Sequence, residues 1–304
     1  MFKKQFCSLI LLCTVACSPS DDSPKFDTDN AINITDFTGA RVSLNKPAQR
    51  IIALAPNIVE NVYSAGAGKQ LVGVVSYSDF PEQASSLPLV GGYANINFEK
   101  ILELKPDLII AWGAGNSDAS VARIKALGYP VYVDQAESLS DLSKSIRDIG
   151  TLTGHPEHAN AVMDEYLSRL KSIQEKHASK PKVRVFYQVW NKPLRTITGR
   201  HIISDAIRVC GGLNVYANEK TVSPIINIES LLERDPQAII ASGVSDNRPE
   251  WLDDWQQWPN LQAVKNKNVF FVNPDHIQRH TTRILLGIDA VCAHLDDVRA
   301  KSDQ

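Results

Sequence analysis

Residues 96–113 read INFEKILELKPDLIIAWG, and residues 226–243 read INIESLLERDPQAIIASG. Aligned without a gap, 10 of the 18 positions are identical across an offset of 130 residues. Stacked-repeat proteins have periods of roughly 20–50 residues, whereas an offset this long is the size of a domain. The repeat therefore predicts two similar lobes. In each copy an asparagine, Asn97 or Asn227, is a good N-cap for a short helix. The apolar residues that follow have helical spacing: Phe98, Ile101 and Leu102 in one copy, Ile228, Leu231 and Leu232 in the other. Pro106 and Pro236 stop that helix, because proline lacks an N–H and biases the preceding residue away from the α region. The apolar runs Leu108–Ala111 and Ala238–Ala241 then predict parallel strands covered on both faces. An α/β fold follows, with ligands expected at the loops that leave the strand ends.

The repeat also duplicates a charge. Glu99 and Glu229 fall in the first helical turn, where a carboxylate suits the helix dipole by about 0.3–1 kcal/mol. A second reading is two matched negative points, one per lobe, that dock on a symmetric partner carrying two basic sites.

At 304 residues the chain has room for two ordinary domains, and 43% apolar with 22% charged residues is a globular composition. A net charge of −2 lacks the basic footprint of a nucleic-acid binder. The N-terminus reads as an export signal, with Lys3 and Lys4 before an apolar stretch, Cys7 to Val15, too short to span a membrane. Thr14-Val15-Ala16-Cys17 resembles a lipoprotein box, with Cys17 the lipidated residue, although leucine is usual where Thr14 stands. Plain cleavage after Ala16 is the alternative. The expected organisation is a signal over 1–17, a polar tether over 18–30, an N-terminal α/β lobe over 31–154, a connecting helix over 155–178 and a C-terminal α/β lobe over 179–304. Removing the signal and Cys17 leaves Cys210 and Cys292, which in an oxidising compartment suggest one disulfide, the alternative being two buried thiols.

Within the first lobe, a hairpin turning at Thr38-Gly39 leads to a strand over Arg50–Leu54. Pro56-Asn57 starts a helix, with Asn57 and Glu60 spaced as a capping box, and the helix ends near Gly66. Further strands are expected at Val72–Val75 and Val131–Val133, and a helix at Val121–Leu127. From Pro156, an N1 proline, apolar residues recur at 3.6 spacing to about His177. Such a helix spans roughly 30 Å and makes a stiff brace between lobes. The second lobe is expected to carry strands Val183–Gln188 and Val269–Val272 and a final helix, Arg283–Arg299.

No catalytic constellation emerges. Ala65-Gly-Ala-Gly-Lys69 lacks the first glycine and the Ser/Thr of a phosphate loop, with Tyr63 and Gln70 in their places. His155 with His158, and His276 with His280, have helical spacing but no third ligand nearby. Aromatic residues at strand ends are more telling: Tyr77 and Phe80, Tyr93, Trp112 and Trp190 lie in loops that should converge on the cleft between lobes. Such a wall suits a large, flat, mostly apolar ligand. Trp251, Trp255 and Trp258 recur at helical spacing and read instead as a packing stripe.

Over residues 48–300 the chain resembles the periplasmic cobalamin (vitamin B12)-binding proteins of ABC importers. These belong to the helical-backbone class of substrate-binding proteins that also serves siderophores and haem. The segments that carry the resemblance include RIIALAPNIVE, VGVVSYSDFP, NFEKILELKPDLIIAWGAGN, VFYQVWNKP, VCGGLNVY and DHIQRHTTRIL. The resemblance implies two Rossmann-like lobes joined by a single long rigid helix, with cobalamin in the cleft as transported ligand and no cofactor. It implies a corrin pocket lined by Tyr77, Tyr93, Trp112, Val189 and Trp190, with polar contacts from Asp275 and Arg279. It also implies that Glu99 and Glu229 dock on a permease dimer served by ATPase subunits, and that Cys210 pairs with Cys292. Tyr93 replaces a tryptophan, and Ser223 stands where an aromatic pocket residue is expected. The competing expectations are a ferric-siderophore or haem binder of the same class and, from a different class, an exported α/β enzyme.

Overall fold

The computed structural model describes residues 31–243 and 246–302. The expected signal, Cys17 and the tether lie outside these residues. An antiparallel hairpin, β1 (Ile32–Thr35) and β2 (Arg41–Leu44), precedes β3 (Ile51–Ala53), α1 (Pro56–Ser64) and β4 (Leu71–Gly73). Next come α2 (Phe98–Leu104), β5 (Leu108–Trp112), α3 (Asp118–Ala126), β6 (Val131–Asp134), α4 (Asp141–Thr153) and α5 (Pro156–His177). The second lobe holds β7 (Val183–Gln188), α6 (Ile202–Val209), β8 (Gly212–Asn214), α7 (Ile228–Arg234) and β9 (Ala238–Ala241). It finishes with α8 (Gln262–Lys265), β10 (Val269–Phe271), α9 (Pro274–Ile277) and α10 (Ile284–Ser302).

Each lobe has one four-stranded parallel sheet, in the orders β4-β3-β5-β6 and β8-β7-β9-β10. Numbered within its own lobe, each order is 2-1-3-4, so the duplication extends to the topology. In such sheets the connections leave in opposite directions between strands 1 and 3, which opens a crevice at their carboxyl ends. The crevices lie beyond β3 and β5 in one lobe and beyond β7 and β9 in the other.

The repeated unit folds alike in both lobes. Asn97 and Asn227 cap α2 and α7, their side chains accepting from the backbone N–H groups of Lys100 and Ser230. Because a residue before proline is barred from the α region, each helix must leave through another conformation. Lys105 and Asp235, at φ +48° and +38°, do so in the left-handed region.

The inner faces of both sheets share one apolar core, which joins Ile51, Ala53 and Ile110 to Val185, Tyr187 and Ile240 through α1, α4, α5, α6 and α10. The outer faces have separate cores: Ile52, Ile109 and Val133 in one lobe, Phe186, Ile239 and Trp255 in the other. The 22-residue connecting helix spans about 33 Å at 1.5 Å per residue and buries Ala159, Met163 and Tyr166. Trp251 and Trp258 pack beside Trp255, the stripe expected from their spacing.

Two local expectations change, and one helix was not expected. The Asn57/Glu60 capping box does not form: α1 begins at Pro56 with no side-chain cap, and Glu60 is buried in an ion pair described below. The strand expected at Val72–Val75 runs Leu71–Gly73. Helix α4 is not evident from propensity, because Ser, Gly and Thr dilute its apolar positions. It forms because Leu142, Ile146, Ile149 and Leu152 fill the shared core. A disulfide joins Cys210, which caps α6, to Cys292 of α10.

Asp134, at the cleft end of β6, is buried and accepts a hydrogen bond from Ser145 Oγ at 2.6 Å. Burial pushes its carboxyl up to about 6, against bonds from Ser145 and backbone that pull it down. A raised acid pKa means a stabilising contribution that is complete below the unfolded value and lost as pH rises through the folded one. Asp134→Asn cannot ionise, so its stability relative to the parent should increase as pH is raised from about 4 to about 7. Urea midpoints of both proteins across that range check this, and a constant difference between them would refute it.

Candidate functional site

The carboxyl ends of the strands bring together side chains far apart in sequence. Trp112 ends β5 and packs edge-on against Tyr93, ring centroids 5.9 Å apart. A cavity of about 590 Å³ is lined by Tyr77, Tyr93 and Trp112 from the first lobe and by Asp275, Gln278 and Arg279 from the second. A second cavity, about 390 Å³, is lined by Trp112, Gln135, Tyr187, Val189, Ser223 and His201. Trp112, Gln278 and His280 line both, so they mark the junction of one inter-lobe cleft.

Of the seven pocket residues expected from sequence, the cleft gathers Tyr77, Tyr93, Trp112, Val189, Asp275 and Arg279. Trp190 lines neither cavity. Its indole Nε1 donates to Lys192 O at 3.1 Å within its own turn, so the ring serves that loop. Tyr77 is 79% exposed at the rim, on a backbone with φ +67°. A left-handed tyrosine costs about 1–3 kcal/mol and persists only where its surroundings hold it there, a pattern typical of ligand clamps.

Asn116 is a positioning residue that sequence reasoning did not single out. It is buried, accepts from Trp112 N–H at 2.7 Å, and donates to Leu54 O at 3.0 Å and Tyr93 O at 2.7 Å. One amide thus ties the loops after β3 and β5 to the Tyr93 loop, and the aromatic wall rests on it.

Glu60 is the second. Its Oε1 accepts from Arg279 Nη1 at 2.9 Å and Arg283 Nη1 at 3.1 Å, linking α1 to the segment after α9. Arg279 also meets Asp79 at 2.8 Å and Asp275 at 3.0 Å. Burial raises the Glu60 carboxyl above its ordinary value despite both arginines. Burial alone would raise Asp79 too, but the hydrogen bond and charge of Arg279 hold it below. Arg283 stacks on Phe80 at 3.8 Å. Arg279 thus lines the cleft with its guanidinium already occupied by carboxylates from both lobes.

Glu99 and Glu229 are exposed in the first turns of α2 and α7. Among the described residues no group of three or more His, Cys, Asp or Glu side chains is placed to hold a metal ion, and no helix is long and apolar enough to cross a membrane.

Two parallel-sheet lobes joined by one rigid helix, with an aromatic cleft between them, define a two-lobe ligand-binding protein. A family model described as periplasmic binding protein matches residues 51–276, and the chain belongs to that family of binding proteins, not to an enzyme family. The vitamin B12-binding protein of Vibrio parahaemolyticus is 35% identical over 268 residues, covering 87% of this chain and 96% of the relative. That of Vibrio cholerae is 37% identical over 249 residues, covering 82% and 90%. The solved periplasmic vitamin B12 binding protein of Vibrio cholerae superposes with a TM-score of 0.76 at 36% identity, over 83% of this chain and 98% of its own. A periplasmic heme-binding protein of Roseiflexus matches with a TM-score of 0.74 at 18% identity over 83% and 99%, which shows a shared fold alone.

Asn116→Ala would leave the Trp112 amide and two carbonyls without their partner. A loss of about 2–3 kcal/mol in urea unfolding is expected, together with weaker ligand binding. A variant as stable as the parent would remove Asn116 from its positioning role.

Proposed function

We propose that this chain binds cobalamin in the inter-lobe cleft, outside the cytoplasm, and delivers it to the permease of an ABC importer. The observation that carries this reading is the aromatic wall of Tyr77, Tyr93 and Trp112 facing a polar second-lobe wall across a cleft large enough for a bulky, flat ligand. Relatives matching nearly the whole chain and named vitamin B12-binding proteins support the choice of ligand. Aromatic faces would pack the corrin, and Gln278, Asp275 and Ser223 would meet its peripheral amides. A siderophore binder would want several free cations in the cleft; the two arginines that line it are Arg279, already shared among carboxylates, and Arg200, which donates to the Lys220 carbonyl. Haem is the reading kept beside it, because Tyr77, Tyr93 and His280 reach the cleft.

Calorimetric titration with cyanocobalamin, and with haem and a ferric siderophore in parallel, tests the ligand. Saturable one-to-one binding of cyanocobalamin alone is expected, weakened at least tenfold by Trp112→Ala, about 1.4 kcal/mol or more. A signal from haem or the siderophore alone would replace the cobalamin reading.

Delivery would use the duplicated carboxylates as docking points on two basic sites of the permease dimer. Glu99→Lys combined with Glu229→Lys is expected to abolish cobalamin-dependent growth while titration with cyanocobalamin is unchanged. Uptake at the parent rate would remove them from docking.

Cys17 would be the lipid-modified first residue of the exported protein, and the Cys210–Cys292 bond would form after export. Intact-mass analysis of the membrane fraction is expected to show a diacylglyceryl-modified N-terminal cysteine and no free thiol. A soluble species beginning at Cys17, or two alkylatable thiols, would contradict each in turn.

A further inference from the structure

Two histidines meet at the junction of the cleft, in roles that their hydrogen bonds distinguish. The rings of His201 and His280 stand edge to face, centroids 5.6 Å apart. His201 caps α6, its Nδ1 accepting from the backbone N–H of Ile203 at 3.2 Å. A backbone amide can only donate, so Nδ1 is unprotonated and the neutral ring carries its hydrogen on Nε2. His280 is the reverse: its Nδ1 faces the carbonyl of Ala136 at 2.7 Å. A carbonyl can only accept, so here Nδ1 holds the hydrogen and Nε2 is a bare lone pair. Burial keeps both rings neutral, taking His201 down to about 3 with help from His280, and lowering His280 likewise.

Both histidines line the cleft, and among the described residues no hydrogen bond engages the Nε2 of either. A neutral imidazole whose far nitrogen is fixed on a backbone carbonyl is the arrangement that orients histidine toward a metal. The carbonyl that fixes it, from Ala136, belongs to the first lobe, so the ring sits where the two lobes meet.

Resting on the reading that the cargo is a corrinoid, we infer that His280 Nε2 is an axial ligand to the cobalt of cargo whose axial position is open, such as cobinamide, which lacks its own nucleotide base. The step is a ligand exchange: water leaves the cobalt, the imidazole lone pair takes its place, and no electron or proton is transferred. His201, with its proton on Nε2, is a hydrogen-bond donor to the cargo and not a ligand. Cyanocobalamin has both axial positions filled and would be held by packing and amide contacts alone. The site would therefore accept base-free corrinoids through a bond that the complete vitamin does not use.

Electron paramagnetic resonance of cob(II)inamide bound to the full exported protein tests this. A single axial nitrogen should split the cobalt lines into triplets. Because cob(II)inamide supplies no axial nitrogen, protein labelled with nitrogen-15 histidine should convert them to doublets without any mutation. His280→Ala should lose the splitting, and added imidazole should restore it. Saturable binding of cob(II)inamide with no nitrogen splitting in the unaltered protein would overturn the assignment and leave the corrinoid reading standing. Splitting that persists in His280→Ala would overturn it in favour of another nitrogen. Failure of both cob(II)inamide and cyanocobalamin to bind would overturn both readings together.

Discussion

The inner faces of the two sheets are buried in a single apolar core, and the rest of the molecule depends on that. Ile110 of β5 and Ile240 of β9 occupy matching positions in the repeat, and both are fully buried in it. Fully burying such a side chain is worth about 1.5–3 kcal/mol, so pulling the lobes apart along their length would forfeit many such terms. The long helix adds Met163 and Tyr166 to the same core. Only the strand-end side of the interface is free of this constraint, and that is where the cleft opens.

At the rim the lobes are joined by charge. Glu60, Asp79 and Asp275 surround Arg279, and Arg283 shares Glu60. Such a cluster is a poor source of net stability, because desolvating the charges offsets most of their attraction. It is strongly geometry-dependent, since removing one partner strands the others. It also admits water as the rim opens, which weakens each pair as the effective dielectric rises. Apolar packing below and ion pairs above give a body that resists large motion yet can yield at its mouth.

Much of this was legible in the sequence because it rests on local rules. The N-capping asparagines, the stop before proline and the continuous apolar strands each require only a few neighbouring residues, and the repeat supplied them twice. The connecting helix runs from Pro156 to His177 as its periodicity predicts. The features that were not legible are long-range. Asn57 and Glu60 carry the spacing of a capping box, but the first turn already holds Pro56, and Glu60 faces arginines some 220 residues away. Asn116 sits in a glycine-containing loop, where a turn is the natural reading, and its three partners are brought together only by the folded sheet. Trp190 stands at a strand end as expected, but its indole N–H is taken up by the Lys192 carbonyl of its own turn and it lines neither cavity. Strand-end position predicts that a residue is near the crevice and does not fix which way its side chain turns.

The duplication has diverged at the places where the lobes face the ligand cleft. At the offset of 130 residues, Tyr93 corresponds to Ser223 and Trp112 to Ser242. The first lobe keeps the two aromatic rings against each other on the cleft wall. In the second, Ser242 Oγ is 2.6 Å from Tyr187 Oη, and Ser223 donates to Thr196 O at 3.1 Å. Gln278 and the two histidines stand beside them in the cavity. At these two matching positions the first lobe thus carries aromatic rings and the second hydroxyls, while Val189, Ile197, Ile202, Ile203 and Val222 also line the second-lobe side and Gln135 and Glu137 the first. The departure at Ser223 from the aromatic expected there belongs to this asymmetry, because serine is what the second lobe carries at both matching positions.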